Sequence, residues 1–217
     1  FLYVTVVRKL KKNMNYTKET LDGLGRALNE AELLGAEFDF EKEFLACTFN
    51  PIVVDENGKV PTDRRIQLIL RNVNRIASSL RNSDWNDDKQ QAEKFELADL
   101  LIIVNSFGGL PIYGWEFFNC AEEDFKRWEN RLSFDWENKK YDGKEHTFDF
   151  FQEGHERHLD IRVWCSEIHL FNPNRQKIDL HEFMKASDRG WNAMNSNPEI
   201  SKRYGIQFID KDTKLDI

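Results

Sequence analysis

The chain has 217 residues and a formal net charge of −7, and 32% of its residues are charged. This length suits a single domain that buries roughly 70% of its unfolded surface, so a disulfide scaffold is not required. The acidic balance argues against non-specific nucleic-acid binding, which needs lysine and arginine to neutralise phosphates. An acidic protein is better suited to a basic protein partner.

The cysteines indicate a compartment. Cys47, Cys120 and Cys165 are odd in number and widely separated, so buried free thiols explain them best and favour a reducing cytoplasm. No apolar run reaches the roughly 18 residues that suggest a membrane span, because Asp99 interrupts the longest candidate. A soluble, cytoplasmic protein is expected.

The first 13 residues differ from the rest, because they contain four basic residues and no acid and are followed directly by Met14. A targeting stretch, an edge strand, and upstream sequence included by a gene prediction are three competing interpretations. A signal peptide places its basic residues before its apolar run, and here that order is reversed. We favour residues 1–13 as a non-native upstream or disordered segment and residues 14–217 as the domain. A chain that begins at Met14 is then expected to keep its stability.

The first predicted element is a helix. Apolar residues recur every three or four positions through residues 17–34, which is typical of an amphipathic helix. Thr17 can cap its beginning, and Gly35 is predicted to end it.

Strands are predicted next. Residues 38–49 alternate, and a turn at 55–58 leads to the alternating residues 64–71, which predicts a hairpin with a long loop. Residues 73–81 alternate again and predict a third strand. The polar segment 83–96 then reads as a mobile loop, where any domain boundary would fall.

A short helix is predicted at 97–104, and Asn119 with Glu122 has the form of a capping box for a helix that carries Phe125 and Trp128. Three further antiparallel strands follow. They are predicted at 131–136, 146–151 and 158–165, joined by turns at 142–143 and 153–154.

The third of these strands changes parity. Its apolar residues are odd-numbered up to Val163 but even-numbered at Ile168 and Leu170. A slip of one residue in a period-two element predicts a bulge or bend near Cys165 and Ser166.

The last predicted elements lie near the end of the sequence. Asp179 is predicted to cap a helix with Glu182 as its reciprocal partner, and the tail 203–209 can supply a final strand. The whole pattern predicts an α+β fold, with antiparallel sheets and helices packed on one face in a single domain, because regular βαβ alternation is missing.

Residues 104–119 gather five aromatic side chains among three glycines. The stretch lacks the lysine and the spacing of a phosphate-binding loop. Aromatic clusters most often form core, so a structural clamp is the favoured interpretation and a ligand or partner surface is the alternative. The members expected to contact a ligand in that case are Tyr113, Trp115 and Glu116.

A second candidate surface lies on one strand. Asp160, Arg162 and Trp164 share a face with His158, and exposed tryptophan and arginine are enriched in binding hot spots. The same row is also compatible with a strand face on which Trp164 is covered by a helix. We favour the covered arrangement, since large aromatic side chains are seldom left exposed.

The third candidate is a metal site. His155 and His158 have H-x-x-H spacing, with Glu153 and Asp160 close by, and imidazoles with carboxylates can bind zinc. The spacing falls at a predicted hairpin turn, where the side chains need not converge. A solvated turn is therefore favoured over a metal site.

The sequence contains no G-x-S-x-G elbow and no recognisable cysteine–histidine signature, and no cofactor is predicted. Composition and size are compatible with small bacterial accessory or toxin-neutralising proteins. The predicted function is therefore a non-enzymatic, cytoplasmic protein-binding module. The alternative is a metal-dependent hydrolase that uses the turn with His155 and His158.

Overall fold

The computed structural model describes residues 16–83, 90–113, 125–140 and 146–204. Within them lie four α-helices and two antiparallel sheets of five strands each, which confirms the predicted α+β class. The helices are α1 (Lys18–Leu28), α2 (Leu100–Asn105), α3 (Leu180–Ser196) and α4 (Pro198–Arg203). The strands are β1 (Glu32–Asp39), β2 (Phe44–Asn50), β3 (Ile66–Arg71), β4 (Arg75–Arg81), β5 (Ile112–Tyr113), β6 (Phe134–Glu137), β7 (His146–Gly154), β8 (Arg157–Cys165), β9 (Glu167–Phe171) and β10 (Lys177–Ile178).

Several sequence predictions fall outside the described residues. They are the interpretation of residues 1–13, the capping box at Asn119 and Glu122, the turn at 142–143, residues 84–89 of the polar loop, and the tail beyond Tyr204.

Helix α1 begins where the sequence predicts it but ends earlier. Thr17 caps it by accepting a hydrogen bond from the Thr20 amide at 3.2 Å. The predicted continuation to residue 34 is wrong, because Glu30 adopts a positive φ of 58° and breaks the helix. The following residues form β1, which pairs with β2 and has a register shift between Leu33 and Gly35. Backbone pairing across strands has overridden a helical pattern here.

The first sheet has the strand order β1-β2-β3-β9-β10. The predicted pairing of β2 with β3 is confirmed, and Leu45 pairs with Leu70 across it. The predicted single strand 38–49 is wrong, because residues 40–43 form a turn between β1 and β2. Gly58 has a positive φ of 75° in the turn after β2, as expected for a turn glycine. Strand β9, which lies far along the chain, completes the sheet against β3.

The second sheet has the order β5-β7-β8-β4-β6. The predicted third strand is confirmed as β4, but the expected neighbour relation of β6 and β7 is wrong, because β6 pairs with β4 and β7 with β8. The β7–β8 hairpin is confirmed. Its reversal lies at 155–156, one pair beyond the predicted turn, because Gly154 pairs with Arg157 and Glu156 takes a φ of 52°.

The parity change near Cys165 marks a crossing between the sheets. Strand β8 ends at Cys165 in the second sheet, and β9 begins at Glu167 in the first. Buried residues of both strands, such as Val163 and Ile168, belong to one hydrophobic cluster. The predicted bend at this position is confirmed, since the chain must turn here to present both sets of apolar residues to the same core.

The sheets enclose a common core. Phe49 of the first sheet and Phe150 of the second lie 6.2 Å apart between ring centres, in an edge-to-face arrangement. On α3, the predicted cap is confirmed because Asp179 accepts hydrogen bonds from the amides of His181 and Glu182. The Glu182 carboxylate bonds to Lys185 instead of returning to the cap.

Candidate functional site

The glycine and aromatic stretch at 104–119 is only partly described, and Trp115 and Glu116 lie outside the described residues. In the described part, Phe107 is buried in the core, while Gly108 and Gly109 take positive φ values of 66° and 78° after α2. These residues form a chain reversal with a core anchor. Tyr113 is half-buried on β5, where its backbone pairs with Phe151.

The second candidate surface is buried. Asp160 and Trp164 are 0% exposed and Arg162 is 3% exposed. Phe125 packs on the Trp164 ring at 5.2 Å, which is the covered arrangement favoured from the sequence. In this conformation these three side chains do not offer a surface to a partner.

Ion pairs lie on this covered face. Arg81 and Asp160 approach to 3.2 Å with side chains 0% and 1% exposed. Arg162 donates from Nε to Asp149 Oδ1 at 2.7 Å. Buried charges persist only when they are paired, so this layer holds β4, β7 and β8 in one register.

The residues of the predicted metal site lie in different environments. His155 and Glu153 are exposed at the β7–β8 reversal, whereas His158 is buried and stacked on Phe151 at 5.6 Å. Asp160 faces Arg81. Within the part of the chain that the structure describes, no group of three or more histidine, cysteine, aspartate or glutamate side chains is placed to hold a metal ion.

A cleft of about 880 Å³ lies between α1 and α3, and part of β7 also lines it. None of the surfaces predicted from the sequence is this cleft. Its lining residues are Lys18, Leu21, Asp22, Gly25, Arg26, Asn29, Glu30, Thr147, Phe148, Asp149, Asp188, Trp191 and Asn192. We call it the α1/α3 cleft.

Close packing of the two helices fixes the walls of the α1/α3 cleft. Ser187 on α3 donates from its hydroxyl to the carbonyl of Ala27 at 3.2 Å. A Cβ atom at Gly23 would lie 2.5 Å from the Met184 sulfur, so the Met184 side chain packs directly on this glycine and would have to shift for a larger residue. The cleft therefore has walls that the core itself positions.

Some charges of the cleft are already neutralised. Lys18 pairs with Asp22 at 2.7 Å, and Asp149 pairs with Arg162. Glu30, Asp188 and Arg26 differ, because none of them makes a salt bridge to any residue that the structure describes. Two carboxylates and one guanidinium thus remain uncommitted at the cleft.

Two further polar and aromatic groups complete the cleft. The Oδ1 atom of Asn29 is buried and accepts no hydrogen bond in the described part of the chain. Trp191 is partly buried and belongs to neither hydrophobic cluster of the described residues. A buried acceptor without a donor is energetically costly, and a tryptophan at a cleft wall is typical of binding sites.

Sequence reasoning missed this site. The helix predicted from the sequence ends at Trp191, but α3 continues to Ser196. An aromatic residue on such a helix is most simply interpreted as core. Its local signal was Asp188 one turn earlier and Asn192 next to it, which places the ring on a polar face of α3. The meeting of α1 and α3 has no local signal, since they are joined only in the tertiary structure.

Among the described residues, no helix combines the length and the apolar character that crossing a membrane requires. Comparison with protein-family models, with curated proteins and with solved structures finds no match to this chain. The function is therefore argued from the geometry and chemistry of the site alone.

Proposed function

We propose that the chain is a non-enzymatic, cytoplasmic protein-binding module of the accessory or toxin-neutralising type, and that the α1/α3 cleft receives a basic segment of its partner. The observation that carries this proposal is Trp191, a partly buried side chain that lines a cleft together with the carboxylates of Glu30 and Asp188. Tryptophan anchors beside polar acceptors are typical of protein-binding hot spots.

Charge supports a basic partner. The whole chain has a formal net charge of −7, so long-range attraction favours the approach of a positively charged protein. Among the described lining residues, the carboxylates without a salt bridge, Glu30 and Asp188, outnumber the one cation without a salt bridge, Arg26. A basic segment would therefore be attracted to the chain at long range and would form ion pairs with the carboxylates of the cleft.

The alternative predicted from the sequence, a metal-dependent hydrolase that uses His155 and His158, remains a prediction. The cleft is preferred as the functional surface because its groups are accessible and share one cavity, whereas His158 is buried on a sheet face.

The proposal is tested with an array of 12-residue peptides of graded net charge, probed with purified wild-type chain and with Trp191→Ala. The control is Ile102→Ala, which removes an exposed apolar side chain, 68% accessible, that does not line the cleft. We expect basic peptides to bind wild type and Ile102→Ala. Binding to Trp191→Ala should weaken about tenfold or more, which corresponds to about 1.4 kcal/mol.

Two results would contradict the proposal. One is an array on which no basic peptide binds the wild-type chain. The other is binding that Trp191→Ala leaves unchanged, which would place the contact elsewhere on the surface.

A further inference from the structure

We propose that the α1/α3 cleft recognises an arginine side chain of the partner, with the guanidinium stacked on Trp191 and hydrogen-bonded to the carboxylates of Asp188 and Glu30. This inference rests on the proposed protein-binding function and names the group that the cleft selects. The competing interpretations are that the cleft binds a lysine ammonium or a negatively charged group.

Trp191 is a partly buried aromatic residue that lines the cleft. The chain repeatedly stacks arginine on aromatic rings, with Arg75 4.7 Å from the Trp164 ring, Arg131 4.5 Å from Trp128 and Arg64 4.4 Å from Tyr204. Throughout the described residues no cation lies over Trp191. An indole beside carboxylates, with no cation of its own, is the surface on which a guanidinium from outside stacks well.

The α1/α3 cleft contains several hydrogen-bond acceptors. Glu30 and Asp188 have no salt bridge within the described ranges, and the buried Asn29 Oδ1 has no donor there. A guanidinium offers five N–H donors in a planar fork, whereas an ammonium offers three from a single point. Several acceptors that line one cleft with an aromatic ring therefore fit arginine better than lysine.

Hydrogen bonds hold the backbone near both carboxylates, Glu30 and Asp188. Glu30 sits in a positive-φ conformation, and its backbone amide donates to the Ile112 carbonyl at 2.8 Å. On α3, Asp188 follows Ser187, whose hydroxyl bonds to Ala27. Backbones held in this way lose little freedom when a ligand binds, which favours affinity.

The C-terminal end of α1 lies at the cleft. Gly25, Arg26 and Asn29 all lie in or just after its last turn and line the cleft. The C-terminal end of a helix carries partial negative charge and stabilises cations. A Cβ atom at Gly25 would meet nothing within 4 Å, so this wall leaves space for a side chain to enter.

The cleft's own cations argue against an anionic ligand. Lys18 is already paired with Asp22, which leaves Arg26 as the single uncommitted cation among the described lining residues. An anion at this position would also meet Glu30 and Asp188. Removing Arg26 should therefore strengthen binding of a cation and weaken binding of an anion. The direction of the change in affinity thus distinguishes a cationic ligand from an anionic one.

The test uses the full chain labelled with ¹⁵N and titrated with three small probes, followed by NMR. The probes are N-acetyl-arginine amide, N-acetyl-lysine amide and N-acetyl-citrulline amide, the last being an uncharged analogue of arginine. The indole resonance of Trp191 is assigned by its loss in Trp191→Phe. We expect the arginine probe to shift this resonance with at least threefold higher affinity than the lysine probe, and the citrulline probe to cause no saturable shift.

Three variants check the roles of the charges. Asp188→Asn should weaken the arginine probe about fivefold, with Glu30→Gln as a second variant that acts in the same direction. Arg26→Gln should tighten it about twofold or more. Equal affinity for lysine or citrulline, or weaker arginine binding in Arg26→Gln, would overturn the inference.

The outcomes separate this inference from the proposed function. Basic peptides that bind through Trp191 without preferring arginine would overturn the inference and leave the protein-binding function standing. An arginine probe that binds the cleft while no peptide does would support the site and overturn the protein-binding function.

Discussion

Arg81 of β4 and Asp160 of β8 form an ion pair inside the fold, with Nη2 and Oδ2 3.2 Å apart and side chains 0% and 1% exposed. The two strands are neighbours in the second sheet, and Asp160 lies directly opposite Ser79. The sequence shows these charges on an alternating strand pattern, which normally places them in solvent. Because both side chains are buried, the free energy of unfolding depends on this ion pair.

The first prediction concerns this pair. Arg81→Met removes the cation that faces Asp160 and should lower the free energy of unfolding by about 3–5 kcal/mol, because a buried charge loses its compensation. The double variant Arg81→Met, Asp160→Leu should be more stable than either single variant, as measured by urea unfolding. The control is Lys18→Ala, which breaks an exposed pair and should cost under about 1 kcal/mol. Additive losses in the double variant would contradict the prediction.

The second prediction compares two helical glycines. A Cβ atom at Gly190 would lie 2.9 Å from the Ile52 carbonyl oxygen, so Gly190→Ala should destabilise the fold by about 1–3 kcal/mol. Gly25→Ala meets nothing within 4 Å and should stabilise α1 by roughly 0.5–1 kcal/mol, since alanine favours the helix. Thermal unfolding of both variants checks the two signs. Equal effects would show that α3 does not pack against the loop after β2 as described.

The third prediction concerns thiol reactivity. Cys47 and Cys165 are both buried, and burial raises the pKa of the Cys47 thiol above its usual range and that of Cys165 to about 12. The reactive thiolate is therefore scarce in both side chains from pH 7 to 9. In a Cys120→Ser variant, we expect no rapid reaction with a disulfide reagent at pH 8 in the native state, and reaction of both thiols in denaturant. Rapid labelling of the native variant would show that one of them is accessible.

The fourth prediction concerns metal at the β7–β8 reversal. We expect the purified chain to carry no stoichiometric zinc, manganese or nickel by elemental analysis. A genuine histidine site would also lose metal as the pH falls below about 6.5, because protonated imidazole cannot ligate. One equivalent of metal that disappears in His155→Ala would favour the hydrolase alternative. His155 is the better variant because it is exposed, whereas replacing the buried His158 would also disturb packing.

Features that depend on neighbouring residues could be predicted from the sequence. The cap at Thr17, the positions of β3 and β4 and the parity change at Cys165 follow from capping chemistry and from the period of the side chains. The helix boundary at Leu28 could not be predicted, because the apolar spacing continues to Ala31. Pairing of β1 with β2 decides it, and that energy comes from residues further along the chain.

The sequence by itself determined the fold class and most strand positions, since hydrophobic periodicity and turn chemistry act over a few residues. Only the tertiary structure decided which face of β8 is covered, that β6 lies beside β4, and that α1 and α3 meet. The hydrogen bond from Ser187 to Ala27 joins residues 160 positions apart, and no local pattern encodes such a contact. The candidate site is built from this meeting of distant segments, which form one cleft only after the shared core has brought the helices together.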